Sequence, residues 1–280
     1  MRRPKVLCAA LVAVLLLGPA GFAGGRGRPK RAVVIGDLDR ETGDLYVIGA
    51  HVSGRGWLRS ENASGLMHKG DKLAVFRLTE GRIGTAKLTN DGTLNSDFSQ
   101  GLWYKSQPSD SDGLAVVVWH SLGSAAPKWI SVGELSAGNT VYRKVISEWL
   151  KGKGVSRETT ESVVVEQVVR ADINGDKRDE VFLSFRTPNT PGFEWITKPT
   201  KDTFSYLLMR HLPRGSRQAK TVIVEDFPSV VHRVTALCNL DNEGWAEVAT
   251  HSSGVDVWGS GLHHWTGRRF RQVGGWGGGC

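Results

Sequence analysis

Residues 171–185 read ADINGDKRDEVFLSF and place oxygen-bearing side chains on alternate positions, Asp172, Asn174 and Asp176, with Glu180 four residues on and an apolar run behind it. A second stretch, CNLDNEGWAEVAT at 238–250, puts Asn239, Asp241, Glu243 and Glu247 in the same four places, 67 residues later. A third, IGDLDRETGDLYVIG at 35–49, carries Asp37, Asp39 and Glu41 on alternate positions, 135 residues before Asp172 and so close to two periods back. One period back, SQPSDSDGLAVVVW at 106–119 offers a polar loop ahead of an apolar run, with its acids out of register.

The flanks repeat with the loops. Short runs rich in Val, Leu and aromatics precede each loop (32–35, 101–104, 163–169, 230–237) and follow it (45–48, 114–119, 181–185, 248–250). Their length and composition predict strands. A third segment follows in most copies, at 72–88, 140–146, 204–212 and, sooner, 261–273, the first and last reading as hairpins around TEG and TG. Only 145–154 reads as a helical turn. Such a unit cannot bury its own faces and must pack on its neighbours. The expectation is therefore an all-β chain, a β-propeller of about four four-stranded blades with calcium-type loops over 32–273. A β-sandwich or two small β-domains would use the same strands.

Alternating acceptors in a curling loop face inward, and a carboxylate near the ninth position closes the far side. Hard oxygen donors in that number suit Ca²⁺ better than Zn²⁺. Without a cation the carboxylates would repel one another. Solvated turns rich in Asp and Asn are the plainer alternative.

The three loops resemble those of the FG-GAP, or VCBS, repeat family of integrin-α-like propellers, whose pattern is approximately Asp-x-Asp/Asn-x-Asp-Gly-x-x-Asp ahead of a strand. DINGDKRDE matches at Asp172, Asn174, Asp176 and Glu180, with Lys177 where the family has Gly. NLDNEGWAE keeps that glycine as Gly244 and begins with Asn239 instead of Asp. DLDRETGDL ends in Leu45, its nearest carboxylate being Asp44. The resemblance implies a calcium-stabilised propeller whose metal loops share one face, with ligands taken on the opposite face by the loops between second and third strands. There the motifs HVSG, HSLG and HSSG place His51, His120 and His251, followed by Trp57 and Trp258; the remaining copy has RTPN from Arg186. A protein or glycan ligand would meet this rim, Trp being suited to a sugar ring or an apolar patch. His263 and His264 need only be one inward and one outward residue of a strand.

The ends of the chain read separately. Arg2, Arg3 and Lys5 precede an apolar run closing near Gly21-Phe22-Ala23, a secretory signal over 1–23 that implies a secreted, periplasmic or cell-surface protein. Cys8 lies too early for a lipoprotein. Residues 24–31 form a flexible basic segment and 274–280 a Gly-rich tail. No later run approaches the length of a membrane span. The formal net charge is +8, of which the signal holds three positive residues, and basic residues are not interleaved with aromatics along one surface as a nucleic-acid groove needs. Cys238 and Cys280 could pair in an oxidising compartment.

Catalytic signatures are sparse. AVVVWHSLGS at 115–124 approaches a nucleophile elbow at Ser121, but Trp119 is too large for the strained turn and Pro127 interrupts the helix that should follow. A polysaccharide lyase or hydrolase would use scattered carboxylates, of which Glu166, Asp202 and Glu225 are candidates. The sequence favours a non-catalytic binding or adhesion scaffold, with a carbohydrate-binding module or a propeller enzyme as alternatives.

Overall fold

The computed structural model describes residues 31–39, 42–63, 65–95, 101–106, 113–120, 128–188, 202–228, 230–254 and 257–279. The expected signal, the basic residues 24–30, Glu41, Ser121 and Cys280 lie outside them.

The first sheet holds β1 (Arg31–Leu38), β2 (Asp44–Val52), β3 (Gly56–Arg59), β4 (Lys72–Arg77), β5 (Gly81–Lys87), β6 (Thr93–Asn95), β7 (Gly101–Lys105) and β8 (Gly113–His120). Its order is β5-β4-β8-β1-β2-β7-β6, with β3 also on β2. The chain then passes through β9 (Lys128–Trp129), β10 (Gly133–Leu135), α1 (Thr140–Gly152) and α2 (Arg157–Glu161). The second sheet joins β10 to a meander of β11 (Val164–Ala171), β12 (Glu180–Arg186), β13 (Ser205–His211) and β14 (Lys220–Glu225). The third is the meander β15 (Val231–Asn239), β16 (Glu247–Ser253), β17 (Val257–Trp265) and β18 (Phe270–Gly279), with β9 beside β15. The protein is thus mostly β, in antiparallel sheets of which none closes into a barrel.

Strand periodicity explains the layering. Along β12 and β13, Phe182, Leu207 and Met209 face the third sheet, while Leu183, Phe185 and Leu208 face α1. The third sheet is apolar on both faces: Leu237 and Val248 pack on the second sheet, and Ala249 and Leu262 on Val33, Ile35 and Ile48 of the first. The layers therefore run first sheet, third sheet, second sheet, helices.

Three expectations fail. Segment 140–146, read as a strand, is the first half of α1: Tyr142, Val145, Ile146, Trp149 and Leu150 recur at helical spacing on one packed face. Asn139 caps it, its side chain accepting from the Val141 and Tyr142 amides. The eroded fourth unit does not form a hairpin, since β7 pairs with β2 and β6 and β8 with β1 and β4. The Gly-rich tail is the second half of β18. A Cβ at Gly274 would lie 2.4 Å from the Ile48 carbonyl oxygen and 3.0 Å from the Gly49 Cα, so bare backbone is what lets β18 press against β2.

The sheets also differ in direction. The Ala246 amide donates to the Ile173 carbonyl at 2.7 Å, which sets the 172 and 239 loops side by side on one rim. The first sheet lies the other way. Asp37, beside its β1–β2 turn, accepts from the Ser260 hydroxyl at 2.8 Å and lies 3.4 Å from His251, toward the far end of β16 and β17. Trp57 of β3, paired with His51 at the other end of β2, meets His264 near the 239 loop, ring centres 5.7 Å apart.

Candidate functional site

The 172 and 239 loops share three backbone-to-side-chain bonds at matching positions. Asp172 accepts from the Gly175 amide at 2.7 Å, and Asn239 from the Asn242 amide at 2.6 Å. Asn174 accepts from the Asp176 amide and Asp241 from the Glu243 amide, both at 2.8 Å. Glu180 and Glu247, 1% and 0% exposed, each reach back under their loop to accept from the amide of its second residue, Ile173 at 3.1 Å and Leu240 at 2.7 Å. The left-handed positions coincide too: Gly175 with Asn242, and Lys177 (φ 67°) with Gly244 (φ 104°). Lys177 therefore adopts the conformation that glycine holds in its sister loop, at a steric cost of about 1–2 kcal/mol.

The remaining oxygen of each buried glutamate separates the loops. In the first, the Asn174 amide donates to Glu180 at 2.9 Å. Burial, and then the nearby Asp176 and Asp172 charges, push Glu180 up to about 7. In the second, Asp241 replaces that amide and cannot donate. His264 arrives from β17 instead, its Nδ1 lying 3.0 Å from Glu247 and 3.5 Å from Asp241. Burial raises Glu247 above the usual carboxylate range against the pull of His264, and the Glu247 hydrogen bond raises His264. Asp241, Glu247 and His264 are the one set of three acidic, His or Cys ligand atoms within 4.8 Å of one another among the described residues. Asp172, Asp176 and Glu180 are not so gathered; the first two turn to the loop's own amides, Asp176 accepting from Arg178 at 2.9 Å.

The 37 stretch is a hairpin turn of another kind. Asp39 accepts from the Thr42 amide at 3.0 Å, Asp37 faces the third sheet, and buried Leu45 occupies the place of the closing glutamate. The histidines and tryptophans expected on one rim are divided. His51 and Trp57, ring centres 4.8 Å apart, sit at the 239-loop end, whereas His251 turns to Asp37 and Ser260 and Trp258 stands 38% exposed at the start of β17. His120 ends β8, and its side chain lies outside the described residues.

Trp258 lines a cleft of about 210 Å³ at the rim opposite the 172 and 239 loops, with Glu225, His232, Ser252, Gln272 and Trp276 among its walls. Glu225 lies 2.8 Å from His263 Nε2 and accepts from the Thr250 hydroxyl at 3.2 Å. Burial alone would raise Glu225, but its bond to His263, with His232 and Thr250, holds it below the usual range. His232 is kept low by burial; its Nε2 faces the Phe227 carbonyl at 3.0 Å and its Nδ1 the Ser252 hydroxyl at 2.8 Å. The indole N–H of Trp276 is buried with no hydrogen-bond partner among the described residues. The other candidate carboxylates are engaged: Glu166 by Arg186 and Arg233 at 2.7 and 2.9 Å, and Asp202 by the Ser156 amide at 2.9 Å.

Comparison of the chain with family models, with curated proteins and with solved structures finds no match in any of the three.

Sequence reasoning passed over two residues. His263 and His264 do point to opposite faces of β17, but both faces are covered, so each histidine meets a carboxylate, His263 the half-buried Glu225 and His264 the buried Glu247. The cue was pairing: with a hairpin around TG and a meander from β15 onward, position 264 falls beside the start of β16, where the closing glutamate stands. No helix among the described residues is long and apolar enough to cross a membrane.

Proposed function

We propose that the chain is an exported binding or adhesion scaffold built on FG-GAP-like, propeller-type blades, with calcium held in the 172 loop and a protein or glycan ligand taken at the opposite rim. The single observation that carries the binding role is the cleft beside Trp258, where aromatic walls converge with Glu225, Gln272 and Ser252 far from the paired loops. Concave, largely apolar sites with a few converging polar groups are the usual form of a small-ligand site. The blade reading draws its support from two four-stranded meanders that share the loop bonding, and the first sheet, with its opposite direction, serves as their cover.

A screen of the secreted form on a glycan array and against extracellular matrix proteins tests this. Trp258→Ala should weaken the best binder at least tenfold, about 1.4 kcal/mol, with the melting temperature unchanged. Retained affinity in that variant would sink the proposed ligand site. Addition of Ca²⁺ after chelation should raise the melting temperature, and Asp172→Ala should remove that rise.

Glu225 favours a second reading, since of the three candidate carboxylates it alone lines the cleft. A polysaccharide lyase or hydrolase would use it to move a proton. Product release from a polysaccharide panel that ceases in Glu225→Gln, while binding persists, would select that reading.

A further inference from the structure

We propose that Asp241, Glu247 and His264 form a site for a nitrogen-accepting divalent ion of the zinc class, which goes beyond the scaffold reading and does not depend on calcium in the sister loop. Three ligand atoms remain after the loop has satisfied its own amides. Asp241 Oδ1 is taken by Glu243, Glu247 Oε2 by Leu240 and Asn239 Oδ1 by Asn242. What is left is Asp241 Oδ2, Glu247 Oε1 and His264 Nδ1. Their separations from the imidazole nitrogen, 3.0 and 3.5 Å, bracket the spacing of roughly 3.4 Å expected between ligands of a tetrahedral ion with bonds of about 2.1 Å. Two carboxylates and an imidazole leave a fourth position open, whereas Ca²⁺ wants at least six oxygens and no nitrogen.

Two further observations point to an ion. The carboxylates of Asp241 and Glu247 are 2% and 0% exposed and share one imidazole nitrogen, and no Lys or Arg pairs with either among the described residues. Buried charges of one sign are ordinarily balanced by a partner or a metal. The sister loop acts as an internal control. There the amide of Asn174 stands in place of Asp241 and donates to Glu180 Oε1, the oxygen left free by Ile173, and no imidazole among the described residues pairs with that carboxylate. Leu240 holds the second oxygen of Glu247 and Trp57 packs against the His264 ring, so outer contacts orient two of the three ligands.

The test strips the purified chain with chelator and titrates it with Co²⁺, read by visible absorption, then with Zn²⁺. The expected result is one Co²⁺ per chain with the bands of a four-coordinate ion, displaced by Zn²⁺ but not by equal Ca²⁺. A hundredfold excess of Zn²⁺ over its Kd should raise the melting temperature by about 5 °C or more. Asp241→Asn, which copies the Asn174 arrangement, and His264→Gln should each abolish the bands and the Zn²⁺ shift while far-UV circular dichroism is unchanged. Should either variant fail to fold, the wild-type Co²⁺ spectrum and its displacement decide alone. Asp172→Ala should keep the Co²⁺ bands whatever its calcium response, so failure of the calcium proposal is read separately. Absence of the bands from the wild-type chain, or their persistence in folded Asp241→Asn and His264→Gln, would overturn the assignment.

Discussion

The loops at 172 and 239 share a backbone path, a pair of left-handed residues and a buried closing glutamate, yet they neutralise that glutamate by different means. One uses a side-chain amide two residues into its own loop; the other, having a carboxylate there, borrows an imidazole from β17. A repeat can therefore conserve shape while exchanging chemistry, provided that some donor reaches the same buried oxygen. The first loop is self-contained, whereas the second depends on the register of β17 against β16.

Removal of the glutamates probes that dependence most strongly. Glu247→Ala removes the buried carboxylate that accepts from the Leu240 amide and leaves Asp241 and His264 facing each other, and should cost about 3–5 kcal/mol in urea denaturation. Glu180→Ala loses two bonds but also a buried charge, and should cost about 1–3 kcal/mol. Equal losses would mean that the loops are energetically alike.

Exchange of the deciding residue comes next. Asn174→Asp sets a second carboxylate against the buried Glu180 with no imidazole, and should destabilise the metal-free protein by about 1–3 kcal/mol. A cost near zero would show that the amide bond to Glu180 is dispensable.

The loops should also separate by pH in chelator. Glu180 is raised from 4.5 to about 7, so its protonated form favours the fold, and stability should fall as pH climbs through that window, by about 1–3 kcal/mol. His264 is raised above 6.5, so its contribution is complete below that value and lost as pH rises through the folded pKa. Denaturation from pH 4 to 9 should show Glu180→Ala flattening the lower window and His264→Gln the upper. A Glu180→Ala profile parallel to wild type would refute the first half. The smallest effect belongs to Lys177→Gly, which relieves a left-handed lysine and should stabilise by about 0.5–1 kcal/mol, while Gly244→Ala should lose about 1 kcal/mol.

The strands around the repeated loops were legible because apolar runs of four to eight residues between turn residues leave little else to form. Loop shape was legible from alternate oxygens, down to the closing glutamates. Helix α1 was not, since TVYRKVI looks extended until Trp149 and Leu150 reveal its period. Nor was the direction of the first sheet, which follows from the fit of Gly274 and Gly49 across more than two hundred residues rather than from any local pattern. His264 went unrecognised because its partners lie in a loop on the other side of a strand crossing.

The contact between β18 and β2 also ties the first described strands to the last. Ends so far apart close with a large loss of chain entropy, and the third sheet offers its Gly274 surface only when residues 270–279 have been laid down. During synthesis the apolar side of β1 and β2 must wait until β18 has emerged, and deletion of residues 271–279 should leave that side open to self-association.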